Sequence, residues 1–178
     1  MNRTEHLCLM ARYNQWMNAK LYSAALTLPD EQVNLDRRAF FGSILGTLNH
    51  LQAGDLIWLK RFAEHPARHP TLLPLDGLAR PQNLKSLLFA DLRGLWQQRQ
   101  WLDQIILDWT ASLSEADLEH NLHYANMQGT AGVRNIYSLL LHFFNHQTHH
   151  RGQASTLLTQ AGVDIGDTDL LLLIPSEP

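Results

Sequence analysis

Four of the chain's seven prolines crowd into one stretch, AEHPARHPTLLPLDGLARPQ, at residues 63–82. Proline lacks an amide to donate and its ring collides with the preceding turn, so no helix passes through this region. On both sides the apolar residues keep a helical period. One segment, about 41–64, repeats Ile44, Leu48, Leu51, Ile57 and Trp58; another, about 83–113, repeats Leu88, Leu92, Leu95, Leu102, Ile105 and Ile106. Two more complete the set. The first, about 4–28, carries Leu9, Tyr13, Trp16, Met17, Leu21 and Ala24 on one face and stops at Pro29. The last, near 135–161, meets a natural C-cap at Gly162. A connection of about 20 residues can cross the length of a bundle, which frees the second and third segments to run parallel.

The expectation is one all-α domain over 1–178. Ser114 precedes Asp117 at capping-box spacing, so SEADL reads as one capped turn. HNLHYANMQGTAGV, with turn residues Asn126 and Gly129, reads as a loop or a short hairpin. Leu170 to Ile174 are too apolar to float free and should dock on the bundle or on a second copy.

A net charge of -3 lacks the basic surface that nucleic-acid binding needs. No run approaches the roughly 20 apolar residues of a membrane span, and Glu5, His6 and Arg12 break up any signal-like start. Cys8 is the single cysteine, which forbids an internal disulfide and suits a reducing compartment. A soluble, cytoplasmic protein is expected.

The last segment contains LLLHFFNHQTHHRGQ, which sets His142, His146, His149 and His150 in one apolar helix. At about 100° per residue, His142, His146 and His150 share a face, and His149 lies on the other flank of His146. Neighbouring imidazoles on a helix can chelate a divalent ion, and periodicity lets His146 pair with any of the other three. A third ligand must come from another helix. His50, in the apolar ILGTLNHLQAGDLIWL, is the candidate. Gly46 and Gly54 flank it at ~40° off its azimuth; glycine inside a helix costs up to about 1 kcal/mol, so space is needed on that stripe. Gln153 falls within ~20° of His146 and reaches the same cavity. Asp55 lies ~140° from His50 and is a candidate acceptor for an imidazole or partner for Arg151. Arg151 itself reads as a structural ion-pair or dimer residue. His65 and His69, each before a proline, read as solvated loop residues.

At these positions the chain resembles the DinB/YfiT-like family of metal-dependent proteins. The resemblance rests on YNQWMN at 13–18, LNHLQAGDLIWLKR around His50, HFFNHQTHHRGQ around His146 and QAGVDIGDTDL near the C-terminus. It implies a four-helix bundle in up-down-down-up order, with a long crossover between the second and third helices. It also implies that His50, His146 and His150 are the metal ligands, leaving His142, His149, Gln153 and Asp55 as candidates around them. Similar proteins are often homodimers, and the better understood are thiol-dependent transferases and isomerases using mycothiol- or bacillithiol-type cofactors. The family name comes from a damage-inducible gene and implies no DNA chemistry.

Three neutral imidazoles leave a divalent ion an open position, as in catalytic sites. Zinc, nickel, iron or manganese would fit. No Ser/His/Asp set and no HExxH glutamate supplies a base, so a low-molecular-weight thiol acting on a small-molecule substrate ranks above hydrolysis. The alternatives are a non-enzymatic metal-binding stress protein and a bis-histidine haem bundle. The five tryptophans read first as core, with Trp58 nearest to His50.

Overall fold

The computed structural model describes residues 1–85 and 87–176. Among them are five α-helices: α1 (Arg3–Ala25), α2 (Asp30–Asn34), α3 (Ile44–Phe62), α4 (Leu92–Ser112) and α5 (Ile136–Gln160). Each long helix begins at a side chain that accepts an otherwise orphaned amide. Asn2 takes Glu5 N at 2.8 Å, Ser43 takes Gly46 N at 3.0 Å, Asp91 takes Gly94 N at 2.7 Å and Asn135 takes Ser138 N at 3.1 Å. α1 packs on α4 and α5, and α3 packs on α5.

The chain is mostly helical, and a small sheet corrects the all-α expectation. β1 (Asn121–Ala125) pairs antiparallel with β2 (Ala131–Asn135), in register from Asn121 opposite Asn135 to Ala125 opposite Ala131. Asn126 Oδ1 accepts the Gln128 and Thr130 amides, and Gly129 takes the positive φ of +81° that closes the turn. Just before it, Ser114 and Asp117 exchange hydrogen bonds and cap the 3-10 turn Asp117–Glu119.

The helix expected from residue 83 begins only at Leu92. Leu88 and Phe89 are kept out of the helix because their backbone groups are taken up elsewhere. Asn49 Oδ1 accepts the Leu88 and Phe89 amides at 2.8 and 3.0 Å, and Asn49 Nδ2 donates to Phe89 O at 3.0 Å. A side chain that binds three backbone groups replaces the helix's own hydrogen bonds. Ser86, within the expected helix, lies outside the described residues.

Two apolar clusters form the core. One gathers Leu7, Leu59, Phe62, Leu102, Trp109 and Phe143; the other gathers Leu21, Ile44, Leu48, Leu95, Leu157 and Leu158. Along every long helix, buried polar residues separate the two sets: Asn14 and Asn18, Asp55, Arg99 and Asp103, Gln147 and Arg151. The tail lies along α1, where Tyr13 Oη donates to Thr168 O at 2.7 Å. Leu171 and Leu172 nevertheless stay exposed. Among the described residues, no helix is long and apolar enough to cross a membrane.

Candidate metal centre

α3 and α5 bring His50, His146 and His150 together, with one ring nitrogen from each lying within 4.8 Å of the others. His50 Nε2 and His150 Nε2 are 3.0 Å apart. The remaining nitrogen of each ring is already committed. His50 Nδ1–H donates to Leu84 O at 2.8 Å, and His150 Nδ1–H donates to Gln153 Oε1 at 2.7 Å. Both acceptors are oxygens without a proton, so each Nδ1 carries one, and each Nε2 of a neutral ring presents a bare lone pair. Two lone pairs at 3.0 Å repel unless a cation sits between them. The spacing is close to the roughly 3.3 Å between donors around a tetrahedral ion with ligands at about 2.0–2.1 Å.

The surroundings keep the rings neutral. Burial holds His146 far below the usual imidazole range, down to about 3, reinforced by His150 and His50. Burial also lowers His50, opposed by its bond to Leu84, and lowers His150, opposed by Gln153. Neutral imidazole is the ligating form.

The two glycines on the His50 stripe make room for different neighbours. A Cβ at Gly54 would lie 2.8 Å from His146 Cε1, so this glycine admits a candidate ligand ring. A Cβ at Gly46 would lie 2.1 Å from Phe41 O, so that one admits the loop before α3. Phe41 then stacks on His50, with centroids 3.8 Å apart and planes at 17°, and meets the edge of His150. Clefts of about 300 and 340 Å3 open on either side of Phe41. Arg37, Arg38 and Gln153 line the second.

The other sequence candidates occupy varied positions. Gln153 touches His150 directly and also lies 3.5 Å from His149. His149 is exposed beside His150, with rings 4.8 Å apart. His142 is exposed 6.1 Å from His146, its ring edge-on to Trp58 at 5.1 Å. Trp58, Tyr124 of the hairpin and Arg61 extend this wall, and Arg61 Nη2 donates to Ala125 O at 2.9 Å. Asp55 accepts from no imidazole. Its Oδ2 takes Arg99 Nη1 at 2.6 Å and Gln147 Nε2 at 2.8 Å, which fastens α3 to α5 next to His146. Arg99 Nη2 also lies 2.9 Å from Asp103 Oδ1, and Asn14 and Asn18 donate to Asp103. Arg151 is buried as a structural residue, donating to Asn14 and to Thr148 rather than to a carboxylate. His65 and His69 are not solvated; both are buried, at 4% and 7% exposure.

Phe41, Asn49 and Arg99 were missed as residues that shape this region. Arg99 and Asp103 had a signal, being charged residues on the apolar stripe between Leu95 and Ile106. Phe41 and the Leu84 carbonyl had none, since loop contacts leave no period to read.

The rings of His50 and His150 stand only 4.3 Å apart with His146 against both, so no porphyrin plane fits between them. Fold and cluster together define a mostly helical protein with a candidate three-histidine metal centre. The DinB family profile matches residues 1–177, and the chain belongs to the DinB family. It is 25% identical over 158 residues to Protein DinB of Bacillus subtilis (strain 168), covering 88% of this chain and 87% of that protein. No solved structure matches the chain.

Proposed function

We propose that His50, His146 and His150 hold one divalent ion, and that the protein is a metal-dependent enzyme of the thiol-dependent transferase or isomerase type acting on a small molecule. The observation that carries the metal is the convergence of His50 Nε2 and His150 Nε2 at 3.0 Å while both Nδ1 atoms are engaged by oxygens. When bound, the ion supplies Lewis acidity toward a thiol or a carbonyl at its open position. The protein's own part is orientation and exclusion of water. Leu84 O and Gln153 fix the two ring planes, and loss of such a partner in a metal site typically costs about 10- to 100-fold in affinity. Phe41 covers His50 on one side. Among the described residues no carboxylate joins the cluster, which favours thiol chemistry over hydrolysis; His142 and His149 are the nearest groups able to accept a proton. Zinc, nickel, iron and manganese all suit the donors.

The same reading includes the up-down-down-up bundle. In its support, α1 and α5 run from the Phe62 cluster to the Leu48 cluster, whereas α3 and α4 run the other way. The connection between α3 and α4, residues 63–91, is long enough to return the chain to the starting end. A homodimer joined through exposed Leu171 and Leu172, and a cytoplasmic location suited to the lone Cys8, complete the proposal.

The test is turnover of a panel of electrophiles with low-molecular-weight thiols by zinc-, nickel-, iron- and manganese-loaded protein. Thiol consumption that is lost in His146→Ala supports the reading. Stoichiometric metal binding with no turnover by any loaded form would favour a non-enzymatic metal-binding protein.

A further inference from the structure

We propose that His65, His69 and Asp117 form a second site for a borderline divalent ion such as zinc, which clips the loop after α3 to the turn after α4. One donor atom from each lies within 4.8 Å of the others. The group is separate from the three-histidine cluster: His50 and Phe62 are twelve residues apart on α3, ~18 Å of helix, and His65 lies beyond Phe62.

The decisive atom is His69 Nε2, which is buried and has no hydrogen-bond partner among the described residues. A buried ring nitrogen is rarely left unmet without a reason. The 65–69 turn builds the pair: Arg68 N donates to His65 O at 2.9 Å, Arg68 adopts a positive φ of +45°, and the two rings come to 5.2 Å. Asp117 offers a carboxylate whose Oδ2 is held by Ser114, a ligand oriented in advance. Two imidazoles and one carboxylate are a zinc-type donor set with a fourth position open. A cleft of about 420 Å3, lined by His65, Arg68, His69 and Asp76, gives that position access to solvent.

His65 must exchange partners to join. Its Nδ1 accepts from Ala67 N at 3.1 Å, and its Nε2–H donates to Asp117 O at a long 3.3 Å. The ion replaces the Nε2 proton, the proton moves to Nδ1, and the amide of exposed Ala67 turns to water. The side chains close inward by about 1 Å to reach the roughly 3.3 Å donor spacing of a tetrahedral ion. Asp117 O gives up the long bond from His65 in the exchange, while the Ser114 bonds to Asp117 Oδ2 stay in place.

Zinc equivalents retained after dialysis against micromolar zinc test this directly. The wild type should hold two, and His69→Ala and Asp117→Asn one each. His69→Ala removes no hydrogen bond made by the buried Nε2, and Asp117→Asn keeps an oxygen for Ser114, so both should keep the wild-type circular dichroism. The double variant His50→Ala/His150→Ala should keep one equivalent. Equal zinc in wild type and His69→Ala overturns the second site. A single equivalent that survives the double variant but vanishes in His69→Ala would instead overturn the three-histidine centre and uphold this one.

Discussion

Gly54→Ala should stabilise the helix and weaken the metal centre at once. The new Cβ would sit 2.8 Å from His146 Cε1, whereas ordinary contact begins at 3.4 Å. The ring must therefore yield by about 0.6 Å, past the roughly 0.5 Å tolerance of a working metal constellation. Gly54 lies inside α3 without a positive φ, so alanine meets no backbone strain, and its helix propensity is better by up to about 1 kcal/mol. Urea melts of metal-free protein should show the variant equal to wild type or more stable, by up to about 1 kcal/mol. Competitive titration with a chromophoric chelator should show metal affinity reduced by about 10- to 100-fold, the usual cost of disturbing a ligand's support. Unchanged affinity would show that the His146 ring position does not matter to the ion.

Further outcomes follow from the same geometry. His146 remains neutral in the fold down to about pH 3, against 6.5 when unfolded. Between these values the unfolded chain binds the extra proton, so stability of the metal-free protein falls with falling pH by at most about 1.4 kcal/mol per unit from this group. Urea melts at pH 7, 6 and 5 should show that decline, and His146→Ala should make it shallower, with His50 and His150, also lowered by burial, still contributing. Asn49→Ala strands the Leu88 and Phe89 amides and should cost about 1–3 kcal/mol in the same melts; a loss under 0.5 kcal/mol would show that the crossover is held by something else. Light scattering should give about twice the 20.3 kDa chain mass, falling toward one chain in Leu171→Asp/Leu172→Asp. A concentration-independent monomer would remove the dimer.

Most of the helical framework could be read from periodicity and stops because those signals are local. Pro29 and Gly162 bracketed α1 and α5 to within a few residues. The start of α4 was illegible for a physical reason. The stripe of Leu88, Leu92 and Leu95 continues helical spacing across a segment whose backbone is captured by Asn49, 39 residues away in sequence from Leu88. The histidine cluster was half legible. Spacing put His142, His146 and His150 on one face, but His142 turns to Trp58 while His150 turns to His50. Only contact across helices makes that distinction. Asp55 lies off the His50 stripe, as its azimuth said, yet its partner Arg99 comes from a helix that sequence spacing cannot register. His65 and His69 were misread because proline-rich loops are usually solvated, whereas this one buries its own Leu72 and Leu75 in the cluster that holds Trp109.

The central claim is that one ion lies among His50, His146 and His150. Anomalous diffraction at the zinc edge from zinc-loaded crystals tests it most directly. A strong peak is expected at about 2.0–2.1 Å from one ring nitrogen of each of the three residues, and it should disappear in His146→Ala. Zinc-loaded crystals with no peak between α3 and α5, or with one equally strong in His146→Ala, would contradict it.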